Sequence, residues 1–191
     1  MTRTALIVLV VVALLGAVLA LLPTPAPRTP GNVELTGVSM VLFPEADPDA
    51  RWTFHSQSVS YNPDSRESLV RGQTRGERYL KKTLDLTLDA KDVTIDSNDN
   101  LTTQQASIYV IDGCVRVNLG LTSGPPVFID QSNGYQAPYA DVTFPNFRTT
   151  GGPLSASFDL QRFELTNPNG TIVDHGPGKG ESCIKGRIVS H

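Results

Sequence analysis

The sequence predicts an all-β fold, a jelly roll or a curved sandwich of two sheets. Apolar residues recur at every second position in several stretches, which is the period of a half-buried strand. Beyond an apolar amino-terminal run, no segment sustains the 3.6-residue period of a helix. Sixteen glycines and fourteen prolines punctuate the chain, as expected of many short strands joined by turns.

In chain order, residues 5–22 come first, an unbroken apolar run of 18 residues preceded by Arg3. As a helix the run would span about 27 Å, close to the ~30 Å of bilayer hydrocarbon. The positive charge before it predicts a cytoplasmic amino terminus and an exported remainder. Residues 1–22 therefore read as a transmembrane anchor. A cleaved signal peptide is the alternative, with a small-residue site at Ala17–Ala20, but the run exceeds the usual ~7–15 residues. Residues 23–32 hold four prolines and read as an extended linker. Residues 33–191 form the expected β domain, long enough to bury a core without metal.

Strand-like stretches follow at residues 32–43, 52–61, 84–95 and 107–121. In the second, Trp52 and Phe54 alternate on one parity, and Val59 and Tyr61 continue on the other. The phase change recurs. Leu86 and Leu88 give way to Val93 and Ile95, and Phe158 and Leu160 give way to Phe163 and Leu165. The three segments align without gaps, Trp52 with Leu86 and Ala156, Phe54 with Leu88 and Phe158. A flat strand would put the two halves on opposite faces. A β-bulge or a tight corner would keep them on one face of a curved sheet. Asp112-Gly113, inside the fourth stretch, matches a two-residue hairpin turn.

Two of the sixteen basic residues, Arg3 and Arg28, precede the domain, and all nineteen acids lie within it, so its net charge is −5. That balance argues against nucleic acid, which needs a basic footprint. Cys114 and Cys183 are the two cysteines. In an exported domain they are expected to form one disulfide, closing a loop of about 70 residues; two buried thiols are the alternative. No catalytic constellation stands out. His55, His175 and His191 are scattered, no zinc-ligand spacing occurs, and the segment from His175 to Ser182 lacks a phosphate-loop pattern. The aspartate run Asp85, Asp89, Asp92, Asp96 and Asp99 brings calcium to mind, yet Asp85 and Asp89 alternate with leucines and read as solvent-facing. No metal, cofactor or enzymatic activity is expected.

The order of a short tail, one membrane helix and the patterns W-x-F-x-S-x-x-V-x-Y (Trp52 to Tyr61) and L-x-L-x-A-x-x-V-x-I (Leu86 to Ile95) resembles a known family. It is similar to the LptC-type component of the bacterial lipopolysaccharide export machine and, more broadly, to OstA-like β-jellyroll proteins. The resemblance spans the amino-terminal run and residues 38–117. It implies a module held in the inner membrane, with its domain in the periplasm. Such a module would take up lipid or a lipopolysaccharide-like glycolipid, beside an ABC transporter, and would stack on other jelly rolls through edge strands. The implied groove would be lined by Trp52, Phe54, Val59, Tyr61, Leu86 and Leu88, with Val93, Ile95, Phe158, Leu160, Phe163 and Leu165. Two other readings stay open. One is a structural or adhesion sandwich with a filled interior. The other is a carbohydrate binder, with Tyr135 and Tyr139 stacking on sugar.

Overall fold

The computed structural model describes residues 33–172 and 180–190, so the expected anchor (residues 1–22) and linker (residues 23–32) lie outside the described residues. All sixteen elements among the described residues are strands. Four long ones form an antiparallel meander: β1 (Val33–Leu42), β2 (Ala50–Asn62), β3 (Glu67–Leu80) and β4 (Thr83–Ile95). Next come β5 (Leu101–Thr103) and β6 (Gln105–Val110), separated only by Gln104. Both pair with β4 in one register, Leu101 opposite Ile95 and Ala106 opposite Ala90.

Here the sheet forks. On one branch β5 is followed by β8 (Val127–Asp130), β9 (Gly134–Ala137), β12 (Leu154–Ala156) and β13 (Phe163–Leu165). On the other, β6 is followed by β7 (Val115–Gly120), β10 (Ala140–Phe144), β11 (Phe147–Gly151) and β14 (Asn169–Ile172). The result is one strongly curled antiparallel sheet of fourteen strands, a half-barrel around a single apolar core. A separate hairpin of β15 (Glu181–Ile184) and β16 (Arg187–Ser190) completes the described chain.

Gly120 makes the fork possible. It has φ 85°, and a Cβ there would lie 2.3 Å from the Gln104 carbonyl oxygen and 2.8 Å from Val127 Cγ2. Only glycine lets β7 leave β6 at the point where β5 breaks from it. Its amide instead donates to the Tyr139 carbonyl at 2.9 Å.

Burial follows the phase change expected in β2 and β4. Trp52 and Phe54 are buried on one parity and Val59 on the other; Leu86 and Leu88 are buried on one and Val93 and Ile95 on the other. Registers locate the surplus residue. Val59, Val70 and Val93 form one cross-strand row, and Phe54, Gly76 and Leu88 another. Between these rows β3 carries one residue more than β2 or β4, and it sits at Gly72 (φ 79°) and Gln73 (φ 42°). The bend is therefore anchored in β3, a fourteen-residue strand without apolar alternation.

The third aligned segment takes the corner rather than the bulge. β12 ends at Ala156, the chain turns through Phe158 to Arg162, and β13 returns antiparallel with Ala156 opposite Phe163. The Ser157 hydroxyl holds that turn, donating to Asp159 at 2.6 Å and accepting from the Arg162 amide at 3.0 Å. Leu160 takes φ 58° within it. One expectation is corrected: Asp112-Gly113 is not a two-residue hairpin turn, because Val110 pairs with Val115 and leaves a four-residue connection. The Ile111 amide there is drawn to the Asp85 carbonyl at 2.9 Å, and Cys114 takes φ 54°.

Candidate functional site

The residues expected to line a groove converge on the inner face of the half-barrel. Trp52, Phe54, Leu86, Leu88 and Val93 are wholly buried, and Val59 and Ile95 nearly so. Phe158, Leu160, Phe163 and Leu165 are half-buried and pack against that cluster from the β12–β13 turn and from β13 itself. Tyr61 differs, at 41% exposed. The aromatic rings fill space around one another: Trp52 stacks on Phe54 at 5.6 Å between centroids, and Phe158 meets Trp52 and Tyr135 edge-on at 6.4 and 5.2 Å. Burying Phe54, Leu86 and Leu88 stabilises the fold by about 1.5–3 kcal/mol each.

Polar groups close one end of this interior, and sequence reasoning missed them. Arg78 is on the inner face of β3, opposite Trp52, with its side chain only 4% exposed. It forms ion pairs with Asp47 and Asp85, and its guanidinium lies 4.1 Å from the Phe158 ring centroid. Asp85 reaches it because the β3–β4 register shifts between Arg78 and Tyr79, leaving Asp85 as an extra residue in β4. The expectation that Asp85 faces solvent is thus corrected. Burial raises its pKa despite the attraction of Arg78. Gln131, also buried, accepts a 3.0 Å hydrogen bond from Trp52 Nε1 and donates to the Asp99 carbonyl at 3.0 Å. Val127, Ile129 and Gln131 share one parity, and that alternation is the signal that would have placed Gln131 inside.

At the other end the inner face runs out into solvent. Leu35 pairs with Val59, and Val33 with Tyr61; residues directly opposite in an antiparallel pair share a face. Val70 is fully buried and Val59 is 7% exposed, while Leu35, the next residue in that row, is 54% exposed and Val33 is 56% exposed. The apolar lining thus continues from the core to the edge strand β1, whose only partner among the described residues is β2. At the end of the other branch, β13 is likewise an edge among the described residues.

The disulfide expected between Cys114 and Cys183 is present, with Cα atoms 5.5 Å apart. It fastens the β15–β16 hairpin to the β6–β7 connection. The Tyr109 hydroxyl donates to the Gly186 carbonyl at 3.0 Å, and the Asn146 side chain donates to the Glu181 carbonyl at 2.8 Å and accepts from its amide at 3.0 Å.

On the outer face a cleft of about 1230 Å³ lies at the fork, lined from β3, β4, β6, β7 and β10 and from the connections that hold Gln104, Thr122 and Tyr139. A shallower one of about 760 Å³ lies over β8, β9 and β12, near Phe128, Pro138 and Leu154. None of the twelve groove residues lines either cleft. Tyr139 borders the larger one, but the expected partnership with Tyr135 is corrected: Tyr135 is buried, and its hydroxyl donates to the Phe158 carbonyl at 3.3 Å. Burial pushes the Tyr135 pKa upward. Of the remaining aspartates of the run, Asp89 is exposed as expected and the other three enter separate structural bonds. Asp92 accepts from the Gly72 amide, Asp96 from the amides of Asn98 and Asn100, and Asp99 from the Glu45 amide. Among the described residues no group of three His, Cys, Asp or Glu is placed to share a cation. His55 is exposed, 2.9 Å from the Ser39 hydroxyl; His175 and His191 lie outside the described residues. The chain matches no protein-family model and no curated protein.

Proposed function

We propose that this protein is a membrane-anchored envelope module of jelly-roll type that takes up the acyl chains of a lipid or lipopolysaccharide-like glycolipid on its inner face. The apolar run at residues 5–22 would hold it in the inner membrane with the domain in the periplasm. The observation that carries the reading is the gradient along the row of Val70, Val59 and Leu35. Among the described residues, an apolar lining that begins in the core emerges at the edge strand β1. An acyl chain laid against Val33, Leu35 and Tyr61 would lose water contact at about 0.8 kcal/mol per buried methylene. Deeper entry toward Val59, Val93 and Ile95 would require packed core side chains to move aside. The resemblance to LptC-type proteins supports the same reading. It adds an ABC transporter as neighbour and further jelly rolls as partners at the free edges.

A second reading rests on the filled end of the interior. The contacts among Trp52, Phe54, Phe158 and Tyr135 suit a structural sandwich that takes no ligand. One experiment separates the two. The full chain in lipid nanodiscs is irradiated with a phospholipid carrying a photoreactive acyl chain, and the adducts are mapped by mass spectrometry. Adducts at Leu35, Tyr61 and Phe163, reduced severalfold in Leu35→Asp, support the lipid module. Adducts confined to residues 5–22 support the sealed sandwich.

A further inference from the structure

The outer face carries a polar array that neither the apolar interior nor the disulfide hairpin uses. Cross-strand registers line up Arg75, Asp89, Ser107, Asn118 and Asp141 in a single row across β3, β4, β6, β7 and β10. All five line the larger cleft. At a strand spacing of about 4.8 Å the row is ~19 Å long. Gln104, Thr122 and Tyr139, from the connections between strands at the fork, also line the cleft. The concavity is built into the backbone, because Gly120 fixes the point at which the branches part.

We infer that this cleft is a binding site for a neutral oligosaccharide. The floor alternates donors and acceptors: the Arg75 guanidinium, the Asp89 carboxylate, the Ser107 hydroxyl, the Asn118 carboxamide and the Asp141 carboxylate. Sugar hydroxyls donate and accept at the same atom, so they suit a mixed array better than a single-sign one. Two floor groups are already oriented. Ser107 Oγ is 2.9 Å from Asn118 Oδ1, and Arg148 Nε donates to Asp141 Oδ1 at 2.9 Å. Charge decides against an anionic ligand. Arg75 and Lys91 face the cleft together with Asp89, Asp92 and Asp141, and Arg148 pairs with Asp141, so three cations meet three carboxylates. Phosphate or polyanion recognition needs a cationic excess that the cleft lacks. The half-buried Tyr139 ring supplies an apolar face with a polar tip in the cleft, the feature that suits a sugar ring.

The site is separate from the inner face, so it stands or falls independently of lipid uptake. The full chain in detergent micelles is titrated calorimetrically with maltotetraose, cellotetraose and chitotetraose. Binding of at least one is expected, with affinity falling about tenfold, the 1.4 kcal/mol of one good hydrogen-bonding or stacking contact, in Asn118→Ala and in Tyr139→Ala. Asn118 is exposed, so its variant folds regardless of the outcome at Tyr139. Photo-crosslinking to lipid should be unchanged in Asn118→Ala. Absence of binding to all three sugars overturns the inference, and so does binding that survives both substitutions.

Discussion

Two regions of this chain carry the same apolar spacing and fold differently. In β2 and β4, two inward pairs separated by a five-residue offset belong to one long strand bent at its middle. Between Ala156 and Leu165 the same offset falls in a reversal, with Phe158 and Leu160 in the turn and Phe163 and Leu165 on β13. In each case the offset keeps both halves on the core, so the apolar pattern cannot tell the solutions apart. What separates them is what lies beside the offset. β2 and β4 flank β3, whose Gly72 and Gln73 take left-handed conformations and let three strands bend together. Ala156 to Leu165 instead has Ser157 and Asp159, which hydrogen-bond into a turn.

The largest test of that contrast is truncation in the two regions. Phe54→Ala is expected to cost about 3–5 kcal/mol, and Phe163→Ala, half-buried on the hairpin edge, about half as much. Urea unfolding measures both, and equal losses would erase the distinction between core strand and edge hairpin. Gly76→Ala comes next. Its added Cβ would sit 2.9 Å from Phe54 Cε1 and 3.4 Å from Leu88 Cβ, and the Phe54 ring is already held against Trp52. Overpacking there should cost about 1–3 kcal/mol by the same measurement. Gly72→Ala forces a Cβ into a left-handed residue, for about 1–2 kcal/mol. The close atoms belong to the flexible Gln57 side chain, so conformation rather than collision sets the loss. A neutral result would move the origin of the bend away from β3.

The smallest effects are opposite in sign. Burial raises the Asp85 pKa, so its contribution to stability is fully present below the ordinary carboxylate value and is lost as pH rises through the raised one. The hydrogen bond from Ser157 lowers the Asp159 pKa. Its contribution is present above the ordinary value and is lost as pH falls through the lowered one. Unfolding midpoints across the acid range should therefore change slope in opposite directions in Asp85→Asn and Asp159→Asn. Parallel changes would contradict the environments assigned to the two carboxylates.

The stretches read as strands from apolar alternation, β1, β2, β4, β6 and β7, are all present among the described residues, as is the cysteine pairing. β3 was illegible although it is the longest strand. Its inward positions include Thr74, Gly76 and Arg78, so no alternation marks it. Gly76 is small because Phe54 and Leu88 from both neighbours occupy the space above it, and Arg78 is tolerated because Asp47 and Asp85 converge on it. The outer cleft was hidden for a similar reason. Its five floor residues come from five strands, and only the registers bring them into one row.

By itself the sequence determined the all-β class, the inward set of β2 and β4 and the pairing partner of each cysteine, because side-chain period and the count of thiols are properties of the chain alone. Only the tertiary structure decided which offset bends and which reverses, that Arg78 is buried, that the sheet forks at Gly120, and that the apolar lining reaches solvent at Leu35. Each of these depends on residues distant in sequence that compete for the same space or the same hydrogen bond, and local pattern carries no record of that competition.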